Sequence, residues 1–258
     1  MAAPEIRTVT VTRYVTPLRE GGSLPAIAEA DDGFLYVLKF RGAGQGIKAL
    51  VAEIIGGEMA HALGLKLPEI VFANLDAAFG RTEPDEEIQD LLKASAGTNL
   101  ALHYLSGSIS FDPVVTKVDA LLASKIVWLD ALIMNMDRTA RNTNMLIWQK
   151  ELWLIDHGAA LYFHHSWTDP LLQAQKPFTQ IKDHVLLPYA TRLVEVNEQF
   201  KNILTANVTK EIISCVPDDF LNWGEALSPE QLRQGYQDFI CTRIKNADQF
   251  VKEAINAR

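Results

Sequence analysis

The sequence predicts an α+β fold with two lobes, and two observations carry that reading. Up to about residue 105, short apolar runs alternate with polar residues between turns built on Gly and Asp; after Gly107 the apolar residues recur at helical spacing. Strands grouped first and helices grouped second, rather than alternating, mark an α+β arrangement. A single domain of 258 residues is expected, with 1–105 as the N-lobe, 106–258 as the C-lobe and the cleft between lobes as the natural ligand site.

The elements follow in order. Thr8-Val9-Thr10-Val11-Thr12 alternates as a half-buried strand, Gly21-Gly22-Ser23 breaks the chain, and Leu24–Ala30 returns. Asp31-Asp32-Gly33 is a hairpin turn, because Gly tolerates positive φ, and 34–40 (FLYVLKF) is the third strand. The loop Gly42-Ala43-Gly44-Gln45-Gly46 has the first glycine spacing of a dinucleotide fingerprint, but its third glycine comes too early, which leaves a linker. A helix is predicted over 48–63, with Leu50 and Ile54 on an apolar stripe and Gly64 as its stop. Strands at 70–73 and 100–105 flank an acidic loop and short helix at 83–90. A long helix over 114–134 leads to an asparagine-rich loop at 135–144, then short strands at 145–148 and 152–155 joined at Gln149-Lys150. Helices are predicted at 195–205 and, capped by Ser228, from Pro229 to Ala257.

Composition narrows the functional classes. Apolar residues make up 48% and charged residues 22%, enough for a core without disulfides. No apolar run reaches the ~18 residues of a membrane span, and the N-terminus lacks a signal-peptide layout. The net charge of −8 argues against a protein held on nucleic acid by its overall field. Two cysteines without metal-ligand spacing point to a reducing, cytoplasmic setting.

The chemistry concentrates in LDALIMNMDRTARNTNMLIWQKELWLIDHGAALYF. Asp137 follows an apolar helix, Asn142 comes five residues later, and Asp156 directly follows a strand. Taken singly, Asp137 is accounted for by a helix cap, Asn142 by a loop amide and Asp156-His157-Gly158 by an ordinary turn. Taken together they have the layout of a kinase catalytic loop and metal-binding loop. Phosphoryl transfer from ATP needs a positioned acceptor, Mg²⁺ to neutralise phosphate charge, and a carboxylate facing the acceptor proton. Asp137 is the candidate base, Asn142 and Asp156 the candidate metal ligands, and Asn144 the runner-up to Asn142.

The first lobe offers the complement. Lys39 lies inside an apolar strand, where an unpaired ammonium is costly; an edge-strand lysine reaching solvent is one account, a phosphate-holding lysine paired with an acid on the next helix the other. Glu53, fourteen residues on, is the candidate partner, and Glu58 is the alternative. Gly21, Gly22 and Ser23 would then form the phosphate-covering turn, though a plain hairpin turn fits them equally.

Three stretches carry a resemblance to the HipA-like kinases, relatives of the protein kinases and phosphatidylinositol kinases. YVLKF resembles the strand bearing the ATP-binding lysine, placing that role on Lys39. AEIIGGEMAHALGLKLPE resembles the following helix and its exit, placing the paired acid on Glu53. NMDRTARNTNMLI with LIDHGAALYF resembles the catalytic and metal loops, which implies a base role for Asp137 and metal roles for Asn142 and Asp156. The similarity runs from about Pro17 to Phe163. Where the family pattern has histidine two residues after the aspartate and lysine before the asparagine, this chain has Thr139 and Arg141; Arg141 is the candidate for that positive charge. The Asp137-Arg138 pair is similar to the phosphatidylinositol kinases. The resemblance also implies that ALHYLS joins the lobes and meets adenine through backbone groups of His103, Tyr104 and Leu105.

The resemblance therefore implies a protein-kinase-like enzyme that uses ATP and Mg²⁺ and passes the γ-phosphoryl group to a hydroxyl, with protein serine or threonine the leading acceptor. A small-molecule or lipid kinase is the first alternative, and a nucleotide-binding pseudokinase scaffold the second. The longer members of the family carry an N-terminal segment that meets an antitoxin; this chain begins almost at its first strand, which makes an antitoxin partner doubtful. His157 is expected to pack beneath the helix, and His164-His165 to form a surface pair.

Overall fold

The computed structural model describes residues 5–18, 24–81, 84–223 and 227–258; the expected Gly21-Gly22-Ser23 phosphate turn lies outside them. The chain forms two compact units, one of Glu5–Val51 with Pro68–Ser106 and one of Ala52–Leu67 with Gly107–Arg258.

The first unit is a closed five-stranded barrel. β1 (Thr8–Pro17), β2 (Ala26–Ala30), β3 (Leu35–Lys39), β4 (Ile70–Leu75) and β5 (Gly97–His103) run in the order β1-β2-β3-β5-β4. All pairings are antiparallel except β1 with β4, which are parallel from Thr8↔Phe72 to Thr10↔Asn74 and close the barrel. Sequence periodicity shows which strands exist but not that the first and fourth meet in parallel and close the sheet into a barrel. Its interior is filled by setting small residues against large ones: Ala26 pairs with Leu38 and Ala28 with Tyr36, all four buried. The hairpin predicted at Asp31-Asp32-Gly33 forms, with Gly33 at φ +79°. At the surface, Arg7 ties Glu69 (2.6 Å) and Asp32 (2.6 Å) together. The acidic stretch yields a helix, α2 (Glu86–Ala94), capped by Asp85, following α1 (Gly46–Ala62) in chain order.

The expected amphipathic stripe of α1 is absent: residues 49–60 are buried without a break, so the helix is enclosed on every side. Gly64 stops it at φ +71°, with the Leu65 N–H reaching back to the Ala60 carbonyl.

The second unit is built round α3 (Ala120–Ile133), buried along its last eleven residues except Lys125. This helix is shorter than the expected 114–134. Val114 and Val115 are exposed, and Asp119 caps the true start by accepting the Leu121 and Leu122 N–H groups. Trp128 meets Phe200 and Phe250 edge-on at 5.2 and 5.5 Å, and its indole N–H donates to Asn197 at 2.9 Å. Those rings come from α5 (Leu193–Ile203) and α8 (Ala247–Ala257), preceded in chain order by α4 (Pro170–Ala174), α6 (Ala206–Ser214) and α7 (Pro229–Lys245). The single final helix expected from Pro229 to Ala257 is broken at Asn246, whose φ/ψ of −103°/23° leaves the helical range; Ser228 caps its start as predicted, in a capping box with Gln231. Arg243 is buried and donates to the carbonyls of Ala131 and Leu132 at 2.6 and 2.7 Å, satisfying acceptors left over at the end of α3.

A three-stranded sheet, β6 (Ile109–Ser110), β7 (Met145–Trp148) and β8 (Glu151–Leu154), carries the loops of interest. Gln149 and Lys150 form its two-residue turn, both left-handed at φ +50° and +66°. That conformation matches the twist of a hairpin and fixes the register Met145↔Leu154. No described helix is long and apolar enough to cross a membrane.

Candidate active site

The site is assembled by the end of one helix and the mouth of one hairpin, both in the second unit. α3 ends in a left-handed cap at Met134, φ +53°, which turns the chain into the loop 135–144. The β7–β8 hairpin ends at Met145↔Leu154, so Asn144 and Asp156 flank its open mouth. The Ile155 N–H donates to the Asn144 carbonyl at 3.0 Å and closes it. Both flanking residues are themselves left-handed, Asn144 at φ +46° and Asp156 at +58°. Non-glycine residues in that region cost on the order of 1–3 kcal/mol each and persist only where surrounding contacts impose them.

Asp137, Asn142, Asn144 and Asp156 are brought together. Asp137 Oδ2 accepts the Asn142 amide at 2.7 Å and the Asn144 amide at 3.3 Å. Burial raises the Asp137 carboxyl above its ordinary value; the Asn144 bond lowers it, the Asp156 charge raises it, and the Asn142 bond and the Arg138 charge lower it, for a net upward shift. Two carboxylates that repel one another beside two amides form a set of hard oxygen donors of the kind Mg²⁺ takes. Each asparagine uses its Nδ2 on Asp137, and no described group donates to either Oδ1. Asn142 is exposed, whereas Asn144 is 8% exposed.

Beneath this face lies a polar layer that the sequence reading missed. Asp130, Asn135, Arg138, His157 and His184 are all buried. Arg138 Nε donates to Asp130 Oδ2 at 2.6 Å; Nη1 donates to the Asn144 carbonyl and, at 3.3 Å, to that of Ile155; Nη2 lies 3.2 Å from His157 Nε2. Arg138, grouped with Asp137 by resemblance, therefore points into the core. A lone acid within the apolar run VWLDALI was the available signal for this layer, since a buried carboxylate needs a partner. Nothing in the sequence marks His184.

The remaining candidates divide. Glu53 on α1 is fully buried and accepts the His157 N–H at 2.7 Å. One turn on, Gly56 leaves no room for a side chain, since a Cβ there would stand 2.9 Å from His157 Cβ. Helix α1 thus fixes the backbone just after Asp156, and His157 packs beneath it. Glu58, the alternative acid, bonds His61 at 3.2 Å. Arg141 is exposed and makes no hydrogen bond or ion pair among the described residues. In the barrel unit, Lys39 lies at the end of β3, paired with Leu100. The His103 N–H donates to the Glu69 carbonyl and the Tyr104 N–H to that of Leu35, both already engaged, whereas the Leu105 N–H has no backbone acceptor among the described residues. His164 and His165 are not a surface pair: His164 is fully buried against the Tyr236 hydroxyl at 2.9 Å, and His165 alone is exposed.

A small barrel unit, a helical unit and an acidic loop-and-hairpin site define the protein-kinase-like α+β fold, and the protein is an ATP-dependent kinase, a phosphotransferase. The family profile described as HipA-like kinase matches residues 11–253, and the chain belongs to that family. The fold is similar to the crystal structure of the Helicobacter pylori proinflammatory kinase CtkA, with a TM-score of 0.53, 12% identity and coverage of 97% of this chain and 98% of that one. It is similar also to the Golgi casein kinase with Mn/ADP bound, with a TM-score of 0.53, 13% identity and coverage of 98% and 74%. No curated protein matches the chain.

Proposed function

We propose that this kinase transfers the γ-phosphoryl group of ATP to a serine or threonine hydroxyl of a protein, with Asp137 as the base. The observation that carries the reading is the Asp137 carboxylate: half-buried, held on one oxygen by two amides, and raised in proton affinity by burial and by Asp156. Its held oxygen fixes the direction of the other, and its raised proton affinity suits it to take the acceptor proton. As the acceptor oxygen bonds to the γ-phosphorus, the β–γ bridging oxygen departs on ADP and the hydroxyl proton passes to Asp137.

Asp156 with the loop amides Asn142 and Asn144 would hold Mg²⁺, which supplies neutralisation of phosphate charge when bound. A metal-dependent nucleotide site is in keeping with the Golgi casein kinase, whose structure holds Mn/ADP. Lys39 is proposed to contact the α- and β-phosphates, Leu105 to offer its N–H to the base, and Arg141, exposed and uncommitted, to approach the γ-phosphate. Glu53 has the part of holding the metal loop through His157.

Radiolabelled γ-phosphoryl transfer from Mg·ATP to dephosphorylated casein, followed by phosphoamino-acid analysis, tests this. Labelled phosphoserine or phosphothreonine with wild type, absent with Asp137→Asn and Asp156→Ala, is expected. Label confined to lipid or small-molecule acceptors would overturn the protein-acceptor reading. Mg·ATP binding without transfer to any acceptor would leave a pseudokinase.

A further inference from the structure

We infer that His184 is a positioning residue for phosphoryl transfer, locking the Asp137 loop through the carboxylate of Asp130. The inference rests on the base role proposed for Asp137.

The geometry is a clamp with a side-chain half and a backbone half. On the side-chain half, the Leu186 N–H donates to His184 Nδ1 at 3.0 Å. The ring proton therefore sits on Nε2, which faces Asp130 Oδ2 at 2.9 Å and donates to it. That same oxygen takes Arg138 Nε at 2.6 Å, while Oδ1 takes the Asn135 amide at 3.0 Å. Asn135 Oδ1 in turn accepts the Asp137 N–H at 3.3 Å. On the backbone half, His184 bridges Thr139 in antiparallel fashion, and the Val185 N–H donates to the Arg138 carbonyl at 3.0 Å. The residues on both sides of Asp137, Asn135 before it and Arg138–Thr139 after it, are thus tied either to Asp130 or to the segment 184–186.

Burial gives the arrangement its leverage. Asp130 is 0% exposed, Arg138 1%, Asn135 2% and His184 5%, so water cannot replace a lost donor. Without the imidazole, Asp130 Oδ2 has one donor instead of two, and Arg138 and Asn135 lose the fixed carboxylate that sets their positions. The loop then holds Asp137 less tightly, and a displacement on the order of 1 Å at a reacting group can cost about 100-fold in rate. Lys39 and Leu105, proposed to contact the phosphates and the base, lie outside this clamp, so KM for ATP should change far less than kcat.

The test compares wild type, His184→Ala and His184→Gln, whose amide can reproduce the Nε2–H donor, in ADP formation with Mg·ATP and dephosphorylated casein. Asp137→Asn serves as the blank, and folding is confirmed by thermal unfolding. His184→Ala should lower kcat about 10- to 100-fold with KM for ATP within about twofold, and His184→Gln should recover most of kcat. Unchanged kcat in folded His184→Ala, or a loss in both kcat and KM that Gln does not repair, overturns the inference. Should His184→Ala not fold, His184→Gln against His184→Asn, which has too short a reach for Asp130, makes the same comparison. Should wild type turn over no faster than Asp137→Asn, the base reading itself fails. Amide exchange then decides the inference: faster exchange over 135–139 in His184→Ala, restored by Gln, sustains the clamp, and unchanged exchange overturns it.

Discussion

Arg138 and Asp130 form an ion pair at 2.6 Å in which neither side chain has any exposure to solvent. A buried pair of this kind adds little over an apolar pair of equal volume, but loss of one partner strands the other charge. Arg138 also bonds the carbonyls of Asn144 and Ile155, so its stranding would be felt at both ends of the hairpin mouth.

Asp130→Ala is therefore expected to destabilise the protein by about 3–5 kcal/mol, and the double variant Asp130→Ala with Arg138→Met by less than the sum of the single changes. Urea unfolding measures both. Additive effects would show that the two residues do not act as a unit.

The same pair sets a pH dependence. Burial pushes the Asp130 carboxyl up, but the Arg138 charge and the His184 hydrogen bond hold it well below its ordinary value. A depressed carboxyl contributes stability that is full above the unfolded value of about 3.9 and is lost as pH falls toward the folded value. The stability gap between wild type and Asp130→Asn should therefore be constant above about pH 5 and narrow below about pH 4. Unfolding midpoints measured across that range decide the matter, and a gap that widens in acid would contradict the assignment.

The order of strands and helices was legible in the sequence because period-two alternation survives in β2 and β3 and a helical stripe in α5, at Leu193, Val196 and Phe200. Helix α3, buried on nearly every position, shows itself only as a long apolar run. Asp137, Asn142 and Asp156 were legible because their spacing follows local chain geometry: a helix end, a loop and a hairpin. What was not legible depended on contacts distant in sequence. The β1–β4 closure joins Thr8 to Phe72, and the His184–Asp130 bond spans 54 residues. Local misreadings have local causes. The exposed Val114 and Val115 imitated a helix that Asp119 starts later, and Asn246 stops a helix without a Gly or Pro to announce it.

The hairpin turn carries strain that can be relieved. Gln149 and Lys150 both occupy the left-handed region, at about 1–2 kcal/mol each for residues with a Cβ, where Asn-Gly is the favoured pair. Replacing Gln149-Lys150 by Asn-Gly should raise stability by about 1 kcal/mol and leave turnover unchanged, read from thermal unfolding and steady-state rates. A drop in stability would mean that the two side chains contribute contacts beyond the turn.

Asn142 and Asn144 can be separated by their surroundings. Asn144 is buried at the hairpin mouth with φ +46°, a conformation glycine adopts freely, so Asn144→Gly removes the amide and spares the backbone. Water can replace the exposed Asn142 amide more readily than the buried one. The Mg²⁺ concentration for half-maximal turnover should rise about tenfold or more in Asn144→Gly and less in Asn142→Ala. The reverse order would assign the stronger metal contact to Asn142.

Asp137 itself should be a site where function is held at the expense of stability. Its carboxyl is raised by burial and by Asp156, so keeping it ionised at neutral pH opposes folding. A carboxyl raised in the folded state destabilises once pH exceeds the unfolded value of about 3.9, and the effect reaches its full size above the folded value. Asp137→Asn removes the charge and retains an acceptor oxygen for the Asn142 and Asn144 amides. The variant should melt at a higher temperature than wild type at pH 7, with the difference vanishing as pH falls below about 4, while its turnover is lost. Added Mg²⁺ should shrink the difference at pH 7, because a cation beside Asp137 and Asp156 cancels the repulsion in wild type alone. Thermal unfolding at three pH values with and without Mg²⁺ measures all of these, and equal melting temperatures at pH 7 would show that the two carboxylates do not oppose one another in the folded protein.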